Sequence, residues 1–166
     1  MLSPPEALAA HHRLDFFSCG EPTLDSWLQR RALANQVSGA SRSFVACEGT
    51  RVVAYYALAS SAVSVTGSPG RFRRNMPDPI PVVVLARLAV AESHQARGVG
   101  RALFHDAARR VVQAADAIGV RGVVVHALSE RAVAFYRRLG LEPSPLDPTT
   151  LMVTLSDLRV GLLDER

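Results

Sequence analysis

The segment that most limits what this chain can fold into is residues 82–128. Val82–Val90 is a near-continuous apolar run, the pattern of a strand buried on both faces. After a short polar stretch, Val99–Ile118 carries apolar residues at helical spacing. Leu103, Ala107, Val111 and Ala115 form one row, Phe104, Ala108 and Val112 the next, and Gly119 closes the helix. Val120–Leu128 again reads as a strand. Strand, helix and strand in this order make a βαβ unit, because parallel neighbours need a crossover of helical length.

The flanks add to this centre. Phe16-Phe17-Ser18-Cys19-Gly20 reads as a turn, and Pro22–Val37 as a helix capped by Thr23, striped by Leu24, Trp27, Leu28 and Leu33 and ended by Gly39. Ser43–Glu48 and Arg51–Val65 form a hairpin across Gly49-Thr50. Residues 66–81, with Gly67, Pro69, Gly70, Pro77, Pro79 and Pro81, read as a loop. Ser129 caps a short helix to Leu139 with Gly140 just beyond it, and Thr149–Leu155 is a last strand. The fold class is therefore α/β of the α+β kind, a mixed central sheet flanked by helices. At 166 residues the chain can bury one sizeable core, so residues 1–166 are expected to be a single domain.

Several function classes drop out. No apolar run reaches the roughly 20 residues that span a bilayer, and Met1–Ala10 lacks the layout of a secretory signal, so no membrane role and a cytoplasmic location are expected. Cys19 and Cys47 match no metal spacing and are expected as reduced, partly buried thiols. The five histidines are scattered, and the adjacent His11 and His12 cannot share one helix face, so no metal site is expected.

All 19 basic residues are arginine. Residues 26–77 hold seven of them (Arg30, Arg31, Arg42, Arg51, Arg71, Arg73 and Arg74) against Glu48 alone, a net of +6, while the rest of the chain is at −2. A solvated face shaped by codon usage would give this pattern. So would a phosphate-binding surface, because guanidinium forks match phosphate oxygens and a basic patch attracts polyanions.

Between the apolar run and the long helix lies Gln95-Ala96-Arg97-Gly98-Val99-Gly100-Arg101-Ala102. A glycine-punctuated turn at a strand-to-helix junction aims several main-chain N–H groups at one spot, where the helix dipole favours negative charge. Gly98 and Gly100 would permit unusual dihedrals, and Arg97 and Arg101 bring full charges. The loop lacks the GK[ST] of a Walker loop and the GxGxxG of a dinucleotide fingerprint. Taken with its flanks, it resembles the Q/R-x-x-G-x-G/A signature of the GNAT superfamily of N-acetyltransferases. The resemblance implies acetyl-CoA as acetyl donor, with the main chain of Gln95, Ala96, Arg97, Gly98, Val99, Gly100, Arg101 and Ala102 on its diphosphate. It also implies that the strand edge at Leu88, Ala89 and Val90 pairs with the pantetheine arm.

Ser129–Leu141 resembles the second GNAT hallmark, N-x-x-A-x-x-x-Y, and places Tyr136 where the family has its general acid. The departing thiolate needs a proton, and a phenol with a pKa of about 10 can supply one while being a poor base at neutral pH. Without the resemblance, Tyr136 beside Phe135 would read as core. Ser129 stands where the family has asparagine; its hydroxyl could bond the pantetheine or cap the helix. No general base is evident: His126 reads as a hydrogen-bonded core histidine and His94 as loop scaffold. An α-amine, with a pKa of about 7.7–8.0, would need less help from a base than a lysine amine at about 10.4.

The likeness goes further. The stretch from Phe17 to Leu28, Ala40–Arg42, Tyr55–Leu58, Arg73–Pro81 and Ser144–Pro148 resemble the GNAT toxins of bacterial toxin–antitoxin pairs. That implies acetylation of the α-amino group of aminoacyl-tRNA, translation arrest, a homodimer and a ribbon-helix-helix-type antitoxin. Arg71, Arg73 and Arg74 become a candidate tRNA-backbone surface, with Arg42 able instead to pair with Glu48 or line the acceptor pocket. The alternatives are a GNAT enzyme acting on a small amine or protein N-terminus, and an inactive binding module with the same fold.

Overall fold

The computed structural model describes residues 1–164. Its strands are β1 (Glu6–Ala7), β2 (Arg42–Glu48), β3 (Arg51–Val63), β4 (Ile80–Val90), β5 (Gly122–His126), β6 (Glu142–Pro143) and β7 (Thr150–Thr154). The helices are α1 (Pro22–Arg30), α2 (Ala32–Ser38), α3 (Gly70–Arg73), α4 (Val99–Ala114), α5 (Glu130–Arg138) and α6 (Leu155–Asp164), with a 3₁₀ turn at Glu92–His94. The strands form one mixed sheet in the order β1-β2-β3-β4-β5-β7-β6. β4 and β5 run parallel around α4, as the βαβ reading expects, and β2–β3 is the hairpin across Gly49-Thr50, with an irregularity at Ala46/Cys47.

Contacts gather into two compact units: residues 1–59 with 86–107, and residues 60–85 with 108 onward. In the first, Leu28, Ala32, Val45, Val53 and Tyr55 are fully or almost fully buried. Tyr55 anchors α1 here. Its hydroxyl donates to the Leu24 carbonyl at 2.7 Å, and its ring stacks on Trp27 and meets Phe17 edge-on. The second core contains Phe72, Ile80, Val82, Val124 and Met152. Gly122 is needed there because a Cβ would lie 1.9 Å from the Val153 carbonyl oxygen.

The structure corrects several expectations. The helix read over Pro22–Val37 breaks at Arg31, where φ is −121°, and ends at Gly39 in the left-handed region. Thr23 does not cap it. Glu21 holds that position without a side-chain bond, and Pro22, which has no N–H to satisfy, starts the helix. α4 stops at Ala114, not Ile118, because the bonds from Asp116 to Gln113 and from Ala117 to Ala114 tighten the chain into turns, leaving Ile118 exposed. β4 is less buried than its apolar run suggests, with Val83, Val84 and Ala86–Leu88 only half-covered. β1, β6, α3 and α6 carry no sequence signal strong enough to have been read: three are too short for periodicity, and α6 succeeds β7 with no intervening turn residues.

Candidate functional site

The residues of the candidate cofactor loop lie in the first unit. The chain leaves β4, makes its 3₁₀ turn and passes through Ala96 at φ 62° and Gly98 at φ 79° before α4 begins. A Cβ on Gly98 would meet nothing within 4 Å, so glycine is required there by the backbone angle and not by crowding. Gly100 is different: it sits in the first turn of α4 and is not among the residues of positive φ, so the second unusual dihedral belongs to Ala96. The Ala102 N–H donates to the Gly98 carbonyl at 3.1 Å, and the amides ahead of it lead out of the helix end.

Ala96, Arg97, Gly98, Arg101 and Ala102 are exposed, and Gln95, Val99 and Gly100 half-buried. No acid occurs from Gln95 to Ala102. Main-chain donors, a helix N-terminus and two guanidiniums without a carboxylate among them fit a diphosphate. The Gln95 side chain turns away from solvent, donating from Nε2 to the carbonyls of Cys19 (2.7 Å) and Val90 (2.8 Å). His94 is scaffold, as expected. It is buried, with Nδ1 against Ser93 Oγ at 2.7 Å and Nε2 against Glu48 at 3.2 Å. On β4, Ala89 is buried and Leu88 and Val90 half-buried. The parallel register with β5 covers Val83–Leu85, so the strand runs on through Leu88–Val90 beyond it.

A separate group of candidate residues, on α5, lies in the other unit. Ser129 caps α5, its Oγ accepting from the Ala132 N–H at 3.1 Å, and Gly140 ends it at φ 99°. Between them, Tyr136 is 8% exposed, edge-on to Phe135, with its carbonyl accepting from the Leu139 and Leu141 N–H groups. Burial pushes its phenol well above the ordinary tyrosine range. Of the other two tyrosines, Tyr55 donates to the Leu24 carbonyl and Tyr56 to the buried Asp106.

His126 is exposed, not core, and bonds Thr150 Oγ1 at 3.1 Å, because β5 ends there and its last side chain faces solvent. Arg42 donates to the Gln36 carbonyl at 2.7 Å; Glu48 meets His94 and Arg51 instead. The three arginines of the candidate tRNA surface are not equivalent. Arg71 forms a bidentate pair with Asp157, and Arg121 donates to the carbonyls of Arg71 and Phe72, both at 2.8 Å. Arg73 and Arg74 are exposed and have no ion pair among the described residues. Nothing local in the sequence marks Asp157 or Arg121, because Asp157 lies 86 positions from its partner.

Cys19 and Cys47 are free thiols, and burial pushes the Cys19 thiol up to about 12. Glu6, His11 and His12 cluster closely. Yet His12 Nδ1 accepts from the Ala9 N–H at 2.9 Å while Nε2 faces Glu6 at 2.8 Å. Both ring nitrogens are therefore committed to holding the N-terminal turn. Among the described residues, no helix is long and apolar enough to cross a membrane.

The chain is similar to known proteins over most of its length. Residues 39–143 match the family model described as an acetyltransferase (GNAT) domain. The chain is 52% identical over 162 residues to a tRNA-acetylating toxin of Mycobacterium tuberculosis, covering 98% of each chain. The structure superposes on AtaT complexed with acetyl-methionyl-tRNAfMet with a TM-score of 0.89 at 28% identity, covering 96% of this chain and 98% of that one. A tyrosine-to-phenylalanine variant of AtaT, bound to the C-terminus of the antitoxin AtaR and acetyl-CoA, matches with a TM-score of 0.82 at 28% identity, covering 96% and 97%.

Proposed function

The chain belongs to the GNAT acetyltransferase family, and from that premise we propose that it is a toxin that acetylates the α-amino group of aminoacyl-tRNA and so blocks translation. It is an acetyl-CoA-dependent N-acetyltransferase, with acetyl-CoA supplying the acetyl group that passes from sulfur to nitrogen. The observation that carries the reading is similarity to a tRNA-acetylating toxin along essentially the full length of both chains.

Each part of the site has its own task. The main chain of Gln95–Ala102, with Arg97 and Arg101, takes the diphosphate, and Leu88, Ala89 and Val90 offer a strand edge to the pantetheine arm. Supporting this are the positive φ of Ala96 and Gly98 and the absence of acids in the loop. Tyr136 Oη holds the proton that the departing sulfur requires, and burial keeps that phenol neutral across the physiological range. Ser129 serves as the helix cap, with its hydroxyl hydrogen left to donate to a neighbour. An α-amine acceptor is substantially neutral near pH 8, so positioning replaces a dedicated base. Arg73 and Arg74 supply phosphate contacts to the tRNA, while Arg71, already matched to Asp157, offers that surface less net charge.

Aminoacyl-tRNA and an antitoxin are the partners. Our finer reading is an antitoxin of ribbon-helix-helix type, a homodimeric toxin, residues 1–166 acting as one domain, and a cytoplasmic location where charged tRNA is found. The test is to incubate the purified protein with acetyl-CoA and a pool of charged tRNAs and to identify N-acetylated amino acids by mass spectrometry. Thiol release with acetylated aminoacyl-tRNA is expected; acetylation of small amines alone would defeat the proposal.

A further inference from the structure

The Gln95 carboxamide has a role that the loop motif does not explain. Both of its N–H bonds go to main-chain carbonyls, to Val90 at the end of β4 and to Cys19 in the Ser18–Gly20 turn, 76 positions away. Two carbonyl acceptors fix which way the amide faces. The Cys19 turn is itself held. Its N–H donates to Asp25 Oδ1 on α1 at 2.9 Å, and the Ser18 carbonyl accepts from the Glu92 N–H at 2.9 Å. Ala91 N–H donates to the Val53 carbonyl at 2.8 Å. The residue just before Ala96 is thereby tied at once to the strand that precedes it and to a turn anchored on a helix.

That matters because Ala96 is a non-glycine residue at φ 62°. Left-handed backbone at alanine is strained and persists only where the surroundings over-determine it. Gln95 supplies that restraint. We propose that the Gln95 side chain is a positioning residue for coenzyme A: without touching the diphosphate, it holds the 96–101 main chain in the conformation that receives it. Asp25, through Cys19, is the outer end of the same tie. This rests on the reading above that the loop binds the diphosphate.

The test uses calorimetric binding of CoA and of S-acetylpantetheine, which lacks the diphosphate, to the full chain. Wild type should prefer CoA strongly; equal affinity would end the loop reading and this proposal with it. Gln95→Met, similar in shape but without donors, should weaken CoA about tenfold, because the loop loses both of the hydrogen bonds that hold it. It should leave S-acetylpantetheine binding within about twofold. Gln95→Arg, which keeps N–H donors, should recover most of the CoA affinity. In the free protein, amides 96–101 should exchange hydrogen faster in Gln95→Met than in wild type. Unchanged CoA affinity in Gln95→Met, with the wild-type preference intact, overturns this proposal alone. So does a Gln95→Arg variant as weak as Gln95→Met. Should Gln95→Met fold poorly, Asp25→Ala, which removes the acceptor of the Cys19 N–H and leaves Gln95 in place, must show the same selective loss of CoA affinity.

Discussion

Arg71 and Asp157 meet in a bidentate pair, Nε to Oδ2 at 2.8 Å and Nη2 to Oδ1 at 2.7 Å. Arg73 and Arg74, two and three residues on, are exposed without such a pair among the described residues. A guanidinium already matched to a carboxylate offers less net charge to a phosphate backbone. Changing Arg73 and Arg74 together to Glu should therefore raise KM for charged tRNA about tenfold or more while leaving acetyl-CoA binding intact. Arg71→Ala should affect tRNA use less. Filter binding at two salt concentrations would check this, with the double variant showing a shallower salt dependence.

The same pair predicts an acid-side stability effect. The Arg71 hydrogen bonds hold the Asp157 carboxyl below the usual carboxylate range. Its stabilisation is thus present above the unfolded value and is lost as pH falls through the lowered folded one. Both side chains are over a third exposed, so Asp157→Asn should cost only about 0.5 kcal/mol at pH 7. In urea titrations, the gap from wild type should close as pH drops below about 4.

Tyr136→Phe retains the ring that packs against Phe135 and removes only the hydroxyl. The variant should fold and bind acetyl-CoA as wild type does, and lose about 100-fold or more in kcat. Growth after induced expression gives a second check: arrest by the wild type should be relieved by the variant. A variant with full turnover would remove Tyr136 from the chemistry.

Because burial raises the Tyr136 phenol above its ordinary value, the proton it donates stays in place through alkaline pH. kcat/KM should rise as the acceptor amine deprotonates near a pH of about 8, then stay level to about 9.5. A fall before that point would show Tyr136 ionising early.

Gly122→Ala tests the second core. The added methyl would sit 1.9 Å from the Val153 carbonyl oxygen, main chain that cannot swing aside. A loss of about 3 kcal/mol is expected in denaturant unfolding. Gly98→Ala, with open space but φ 79°, should cost about 1 kcal/mol and weaken CoA binding.

Features that neighbouring residues dictate were legible in the amino-acid order alone. The helical period beginning at Val99 makes α4, though it runs on past the observed end at Ala114; the apolar run makes β4, and Ser129 and Gly140 bracket α5. These signals are local because helix period, capping and turn chemistry each act within a few residues. Tertiary packing decided which side chains meet across long separations. It paired Arg71 with Asp157, tied Gln95 to Cys19, left His126 in solvent and demanded a bare Cα at Gly122. It also put the strained backbone at Ala96 rather than Gly100. Such contacts depend on how strands and helices pack, and no residue carries a mark of a partner 76 or 86 positions away.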